Sequence, residues 1–446
     1  MQQQKLPLKI LIIYGVGCFG WSIGLNIISV LLNYIYLPPT NSGMQSLIPQ
    51  IAWFGFINII SIILFTGRGF DAVMDPLIAN LSDKSRSRLG RRIPFMRVAF
   101  VPLGVFCALV FLPIHRDSHM FNVYWLAGMQ LLFYFFFGLY TIPYNALLAD
   151  MGHDARAKIN LSTAQSVGFM TGAMVSSAST LVVKLLMDAG VTSDRLSAYQ
   201  YAIVGLNVLA IICLAVPAFG IDEPKYTASA KKAATGSVYQ SLRTALRNPN
   251  FRIFALADAS YFMAIAIIST GLLYYIKSML RLDESIGTIF MLGMVLITIL
   301  FYGVVNRLGT IYSKKVMMII SFASAAVVFS EIFFLGQLPF SPILQASVLV
   351  ITFGIPNAFL QILPSTVIAD IAHDARDRSG INEEGMFFGM RAFFQKIGQT
   401  GGITVFAMLT VLGKDPGHDL GLRLSGAVGA GLCAFSALIY IRYREK

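Results

Sequence analysis

Four ionisable residues stand in stretches that are otherwise apolar: Arg68, Asp71 and Asp75 close together, and Lys396 far along the chain. At about 100° per helical residue, Asp71 lies roughly 60° from Arg68 around the axis and Asp75 about 20° from it. The three therefore share one face. Pro76 follows Asp75 directly and has no N–H, which leaves the carbonyl of Ala72 without its usual helical partner. Two carboxylates and a freed carbonyl are hard oxygen donors, suited to Na⁺, Li⁺ or a hydronium ion. The plain alternative is that Arg68 and the aspartates neutralise one another and only hold helices together. One arginine against two carboxylates leaves a negative charge over, and Lys396 could supply the missing positive charge when the cation is absent. At about 2.5 to 3.5 kcal/mol each at a helix centre, four isolated charges would cost on the order of 10 kcal/mol. They must face partners or water.

The elements that position them are membrane spans. Of 446 residues, 56% are hydrophobic and 13% charged, with a mean hydropathy of +0.69, whereas soluble domains carry about a quarter of their residues charged. Apolar runs bounded by charges, Pro or Gly fall near residues 10–37, 49–80, 94–114, 120–148, 160–187, 199–219, 250–278, 285–309, 313–335, 340–369, 384–413 and 418–441. Each is long enough to cross a bilayer, which takes about 20 residues. The run from Ile10 to Leu37 is too long for a signal-peptide core and is expected to stay as the first helix. The chain is thus predicted to be an all-α membrane protein of twelve transmembrane helices.

Alternate connections divide the basic residues unevenly: 24 of the 34 Lys and Arg fall on the side that holds both termini and residues 220–252, against 5 on the other. Positive charge stays in the cytoplasm, so both termini are expected there, in an inner or plasma membrane. Topology and anionic lipid account for the net charge of +12. Nucleic acid is excluded, because no basic segment is interleaved with exposed aromatics.

The polar stretch 222–250 separates six spans from six, dividing the chain into halves 1–221 and 251–446 around a cytoplasmic loop. Ala149-Asp150-Met151-Gly152-His153-Asp154-Ala155-Arg156 after span four is echoed by Ala369-Asp370-Ile371-Ala372-His373-Asp374-Ala375-Arg376 after span ten, each behind a proline, Pro143 or Pro364. Parallel repeats related by a pseudo-two-fold axis along the membrane normal are typical of the major facilitator architecture. Asp150, Arg156, Asp370 and Arg376, together with Gly90, Arg91 and Arg92, are candidates for a gate on the cytoplasmic rim. A weaker partner of the Gly90 segment is Asn306-Arg307-Leu308-Gly309. Solvated helix ends and topological anchoring are the competing readings.

Asp258, Glu331, Lys184 and Arg391 are expected near helix ends, where long side chains reach the headgroups. Gln130, Gln165, Gln361, Gln395 and Gln399 are read as helix-to-helix contacts or cavity lining. Cys18, Cys107, Cys213 and Cys433 sit apart in apolar runs with no metal or disulfide spacing. His153 and His373 lack ligand neighbours. No convergent nucleophile or acid–base pair marks an enzyme, and no filter loop marks a channel.

Arg68-Gly69-Phe70-Asp71-Ala72-Val73-Met74-Asp75-Pro76, with Ser82-Asp83-Lys84-Ser85-Arg86-Ser87-Arg88-Leu89-Gly90-Arg91-Arg92-Ile93-Pro94-Phe95, resembles the signature of the glycoside-pentoside-hexuronide:cation symporter family. Ile142-Pro143-Tyr144-Asn145-Ala146-Leu147 and the stretch from Gly380 through Glu384, Gly385, Phe388 and Gly389 to Lys396 match further. The likeness runs from span one to span eleven. It implies Na⁺- or H⁺-driven symport by alternating access, with Asp71 and Asp75 as cation ligands, Thr141 beside them, and Arg68 and Lys396 in coupling. No cofactor is implied beyond the coupling ion, and the carrier is expected to work as a monomer on a small solute. The sugar-binding pattern departs from the family's: Ser22 replaces a span-one aspartate, Thr141 a span-four aspartate, Asn145 a tryptophan and Gln165 an arginine. Ser22, Asn26, Asn145 and Gln165 are the solute-binding candidates, for a sugar or glycoside in first place and a lysolipid or other amphipath as the alternative.

Overall fold

The computed structural model describes residues 6–53, 57–152, 155–227, 243, 245–309, 311–379 and 384–445. Helix α1 spans Leu8–Tyr36, α2 Ile59–Lys84, α3 Ile93–Val110, α4 Met120–Met151, α5 Ala155–Ser177, α6 Ser179–Asp188, α7 Arg195–Gly220 and the short α8 Glu223–Thr227. There follow α9 Pro249–Tyr274, α10 Ile286–Leu308, α11 Lys314–Phe334, α12 Pro342–Ser379, α13 Glu384–Leu409 and α14 Leu420–Tyr440. Taking α5 and α6 as one interrupted span, the described residues hold twelve long helical spans, as hydropathy predicts.

Several ends differ from the sequence expectation, each for a local reason. The second span starts at Ile59 rather than near residue 49, because Ala52–Trp53 (β1) and Ile57–Asn58 (β2) pair as a short antiparallel hairpin. Asn58 and Ser61 then close the helix start: the Ser61 N–H donates to Asn58 Oδ1 at 2.8 Å and the Asn58 N–H to Ser61 Oγ at 3.2 Å. These side chains satisfy N–H groups that a helix start leaves open. The fifth span breaks at Ala178 between α5 and α6, the seventh ends in a π turn over Tyr275–Met279, and the tenth runs on to Ser379. Elsewhere caps fall where the sequence supplies them. Asn248 accepts from the N–H groups of Asn250 and Phe251 with Pro249 in the first turn, and Asp194 and Ser313 cap α7 and α11.

Among the described residues, ten helices are long and apolar enough to cross a membrane. The two long spans missing from that set are α2 and α13, the helices that carry Arg68, Asp71, Asp75 and Lys396. Large apolar side chains lie exposed on the others, as with Leu300 on α10 at 76%, which is the composition of a lipid-facing surface.

The chain divides into two units, Met1–Pro38 with Gly43–Gln50 and Thr66–Ala234, and Pro39–Ser42 with Ile51–Phe65 and Thr235–Lys446. The first turns of α2 and the hairpin before it therefore group with the second unit, where Asn58 Nδ2 donates to the Ala407 carbonyl of α13 at 2.7 Å. Within the first unit α1 packs on α5 and α7, and α3 on α4 and α7. Within the second, α9 packs on α13 and α14, and α11 on α12 and α14, which is the same order of pairing. Glycines let the first pair in each unit approach closely. A Cβ on Gly168 or Gly172 of α5 would meet the carbonyl oxygens of Gly15 or Phe19 on α1 at 2.2 and 2.6 Å. One on Gly398 or Gly402 of α13 would meet those of Ala259 or Met263 on α9 at 2.2 and 2.3 Å. Lipid supplies no hydrophobic drive between helices, so backbone approach at small residues carries the packing.

Candidate functional site

The polar stripe of α2 forms as its spacing predicts. Asp71 is fully buried and Arg68 nearly so, while Asp75 is half-buried. The stripe meets α4 at a gap left by Gly138. The point where a Cβ of Gly138 would stand lies 3.6 Å from Asp75 Oδ1 and 3.9 Å from Asp71 Oδ1. Both carboxylates thus converge on one place beside α4, on the helix whose Ala72 carbonyl Pro76 leaves without its N–H partner. Gly67 continues this face, and its missing side chain makes room for Gln130 and Tyr134 of α4. The Arg68 guanidinium lies 5.2 Å from the Tyr134 ring centre, a distance at which the ring face attracts the cation. The Tyr134 ring also stands in the field of Asp71. Thr141, buried on α4, donates its hydroxyl to the Phe137 carbonyl at 2.8 Å, leaving its oxygen lone pairs for another partner.

The solute candidates separate into two groups. Ser22 Oγ donates to the Phe169 carbonyl of α5 at 2.8 Å, and Asn26 Nδ2 folds back on the Ser22 carbonyl at 2.8 Å. Their polar atoms are thus engaged where α1 and α5 pack. Asn145 and Gln165 are brought together, Gln165 Nε2 donating to Asn145 Oδ1 at 2.7 Å between α4 and α5, with Asn145 open to solvent. Sequence reasoning missed Trp21, next to Ser22, whose ring packs against Phe137 at 5.9 Å and Phe169 at 5.5 Å. Its buried indole N–H has no acceptor among the described residues. Lys396 is half-buried on α13, and its carbonyl accepts from Thr400 Oγ1 at 2.7 Å.

Gly90, Arg91 and Arg92 form a built cluster together with Glu223, from the polar stretch 222–250. The Glu223 carboxylate, opening α8, accepts from the backbone N–H groups of Arg91, Arg92 and Ile93 at 2.7, 2.8 and 2.9 Å. That caps α3, whose own N-cap position offers no side-chain bond. Gly90 has φ of +106°, and a Cβ there would meet the Glu223 carboxylate; both conditions demand glycine. Arg92, buried, spends its planar fork on Asp83 at 2.6 Å, Asp150 at 3.2 Å and Ser82 at 2.7 Å. Arg91 also reaches Asp150, at 3.4 Å.

The second unit repeats the device with more exposure. Glu445 accepts from the backbone N–H groups of Lys314 and Lys315 at 2.9 Å each, and Lys314 Nζ pairs with Asp370 at 2.6 Å. The counterpart of Arg92 is therefore Lys314, and the Asn306 to Gly309 segment precedes it. Asp150 and Asp370 thus meet basic residues in corresponding positions, as their repeated motif implies. The side chains of Arg156, Arg376 and Asn306, and all of His153, lie outside the described residues. The one signal that could have found Glu223 and Glu445 is their shared position, a few residues beyond the last apolar residue of the sixth and twelfth spans.

Asp258 and Arg391 correct the expectation of headgroup-reaching side chains. Asp258 is the tenth residue of α9 and 1% exposed, and its Oδ2 pairs with Arg391 Nε at 3.0 Å. A buried carboxylate in the body of a span holds its charge only beside a partner.

Residues 53–419 match the family described as MFS/sugar transport protein. An uncharacterized symporter of Synechocystis sp. and the inner membrane symporter YicJ of Escherichia coli are each 25% identical, over 50% and 52% of this chain and 39% and 48% of their own lengths. The chain spans about half the length of these relatives, or less, in those alignments. The sodium-dependent lysophosphatidylcholine symporter 1-A of Danio rerio is 22% identical over 86% of this chain and 78% of its own. A crystal structure of the nucleoside transporter NupG superposes with a TM-score of 0.67 over 98% of this chain and 99% of that one, at 15% identity. At that identity the likeness is one of fold.

Proposed function

We propose that this chain, which belongs to the MFS/sugar transport protein family, is a symporter that couples a cation to the uptake of a sugar or glycoside by alternating access. Membership makes it a multi-pass membrane transporter; the coupling and the solute are our reading. One observation carries it: the Asp71 and Asp75 oxygens approach one point beside Gly138 inside the membrane-spanning part of the first unit. Buried carboxylates at membrane depth serve ion pathways far more often than packing, and here the same helix carries the Ala72 carbonyl that Pro76 frees. Asp71, Asp75 and Thr141 are assigned to the cation, either Na⁺ or H⁺. Arg68 serves coupling by holding the stripe against Tyr134, and Lys396 is assigned to coupling on the family resemblance alone.

For the solute we favour a sugar or glycoside on the family description. The exposed Asn145 and half-buried Gln165 amides offer both donors and acceptors to hydroxyl groups. A lysolipid is the second reading, supported by the lysophosphatidylcholine symporter among the relatives and by the lack of charged acceptors at Ser22 and Thr141. Reconstituted protein, given an imposed Na⁺ or pH gradient and a panel of glycosides, pentosides and lysophosphatidylcholine, should accumulate a sugar and leave the lysolipid behind. Accumulation of the lysolipid alone would reverse the order of the two readings, and no gradient-driven accumulation of either would defeat symport.

Orientation follows from the charge bias. Both termini and residues 222–250 are proposed to face the cytoplasm of an inner or plasma membrane, with the Glu223 and Glu445 clusters on that rim. A single cysteine placed at Ser237 in a cysteine-free background should react with a membrane-impermeant maleimide only in inverted vesicles. Labelling in intact cells would overturn the assignment.

A further inference from the structure

The second unit holds a charged cluster that the cation site in the first does not use. Asp258 Oδ2 accepts from Arg391 Nε and from Gln395 Nε2, both at 3.0 Å, the two donors lying one turn apart on α13. Arg391 also donates to Ser365 Oγ of α12 at 3.1 Å, and its guanidinium lies 5.7 Å from the Phe254 ring centre. Both donors thus fall on a single carboxylate oxygen. Asp258 Oδ1, shut off from solvent, has no hydrogen-bond partner among the described residues.

An ionised carboxylate spreads its charge over both oxygens, and each seeks donors. With one oxygen bonded twice and the other bare in a medium of low dielectric, the charged state carries a desolvation cost that the ion pair offsets only in part. A proton on Oδ1 removes that cost. Arg391 would then keep the Ser365 hydroxyl and the Phe254 ring but lose its counter-charge. Its side chain is 12% exposed against 2% for Asp258, so of the two partners Arg391 is the one with access to solvent.

We propose that Asp258 is a second, proton-binding site of the carrier, with Arg391 as its exchangeable counter-ion. The proposal rests on the reading of the chain as a cation-coupled symporter and adds a titratable group in the other unit. The proton comes from the aqueous phase and forms an O–H bond at Oδ1, while the bond from Arg391 to Oδ2 changes from charge-assisted to ordinary. Among the described residues, besides Arg391 and Gln395 of α13, the phenols of Tyr261 and Tyr440 lie in the field of Asp258. Tyr261 of α9 donates to Asn357 Oδ1 of α12 at 3.2 Å, and Tyr440 belongs to α14. Phenols titrate near pH 10, so neither competes for the proton under ordinary conditions.

Infrared difference spectra of the purified full-length protein, taken between about pH 4 and about pH 9, test this. Acidification should produce the carbonyl stretch of a protonated, non-hydrated carboxyl in the wild type. Asp258→Asn should lose the Asp258 component of the band, while Asp71→Asn and Asp75→Asn should keep it. In Arg391→Gln its midpoint should move up by about one pH unit or more, because the opposing positive charge is gone. If Asp258→Asn does not fold, Asp258→Asn with Arg391→Gln leaves no unpaired charge and gives the same reading. A band as strong in Asp258→Asn as in the wild type, or a wild type with none, overturns the proposal. Accumulation of solute by the reconstituted wild type under an imposed Na⁺ or pH gradient reports on the symport reading and the Asp258 band does not depend on it, so failure of the one is distinguishable from failure of the other.

Discussion

Asp75→Asn and Asp71→Asn should each abolish gradient-driven accumulation of solute while leaving solute binding in place. Both carboxylates reach one point beside Gly138, and a small hard cation there exchanges water for a few fixed oxygens. Removing one charge from such a set costs about 3 kcal/mol or more, which is roughly a hundredfold in Kd. The solute candidates Asn145 and Gln165 are on α4 and α5 rather than on α2, so recognition should outlast coupling. Asp71 is the more deeply buried of the two, and its neutralisation should also lower the apparent melting temperature more. Counterflow, which needs no gradient, separates the cases: both variants should exchange solute and neither should accumulate it. An ion cluster that merely holds helices together predicts lower yield with coupling intact in the surviving protein. Normal accumulation by Asp75→Asn at the original stoichiometry would therefore remove the cation from this site.

Glu223→Ala should destabilise the carrier far more than Glu445→Ala, although the two residues perform the same task. Deleting the Glu223 carboxylate orphans three backbone N–H groups in a place where Glu223 is 1% exposed and Arg92 7%. Each unsatisfied buried donor costs about 1 to 3 kcal/mol, and with the Arg91 N–H only part-buried a loss of at least about 3 kcal/mol is expected. The Glu445 carboxylate caps Lys314 and Lys315 in a solvent-exposed setting, where water replaces the lost acceptor and the cost is about 1 kcal/mol. Thermal unfolding of the two variants in one detergent compares them directly. Equal shifts would mean that the cap of α3 is no more than surface electrostatics. Arg92→Lys should fall between them, since a single ammonium cannot hold Asp83, Asp150 and Ser82 at once.

Much of the fold was legible along the chain because hydropathy and helical period are local properties. Twelve apolar runs became twelve long spans, and the spacing of Arg68, Asp71 and Asp75 put them on one face without reference to any other helix. The departures occur where polar side chains settle an end. The start of α2 depended on Asn58 and Ser61 bonding each other, which hydropathy does not register because the hairpin before them is as apolar as a span. Asp258 and Arg391 were misjudged for a related reason: a charge in an apolar run can reach a headgroup or a partner, and the run itself does not say which.

The sequence by itself determined that the chain crosses a membrane many times, that it is internally repeated at the Ala149-Asp150 and Ala369-Asp370 motifs, and that α2 carries hard oxygen donors in one stripe. Each of these follows from residue type at short spacing. Only the tertiary structure decided that Gly138 opens the gap where Asp71 and Asp75 meet, that Glu223 and Glu445 cap helices begun long before them, and that Arg391 answers Asp258. Arg91 and Glu223 are 132 residues apart, and Asp258 and Arg391 133. Over such separations a carboxylate is matched to its donor by which helix faces pack together. In lipid the positions of small residues such as Gly168 and Gly398 set that packing, and their contacts appear only when the helices are side by side.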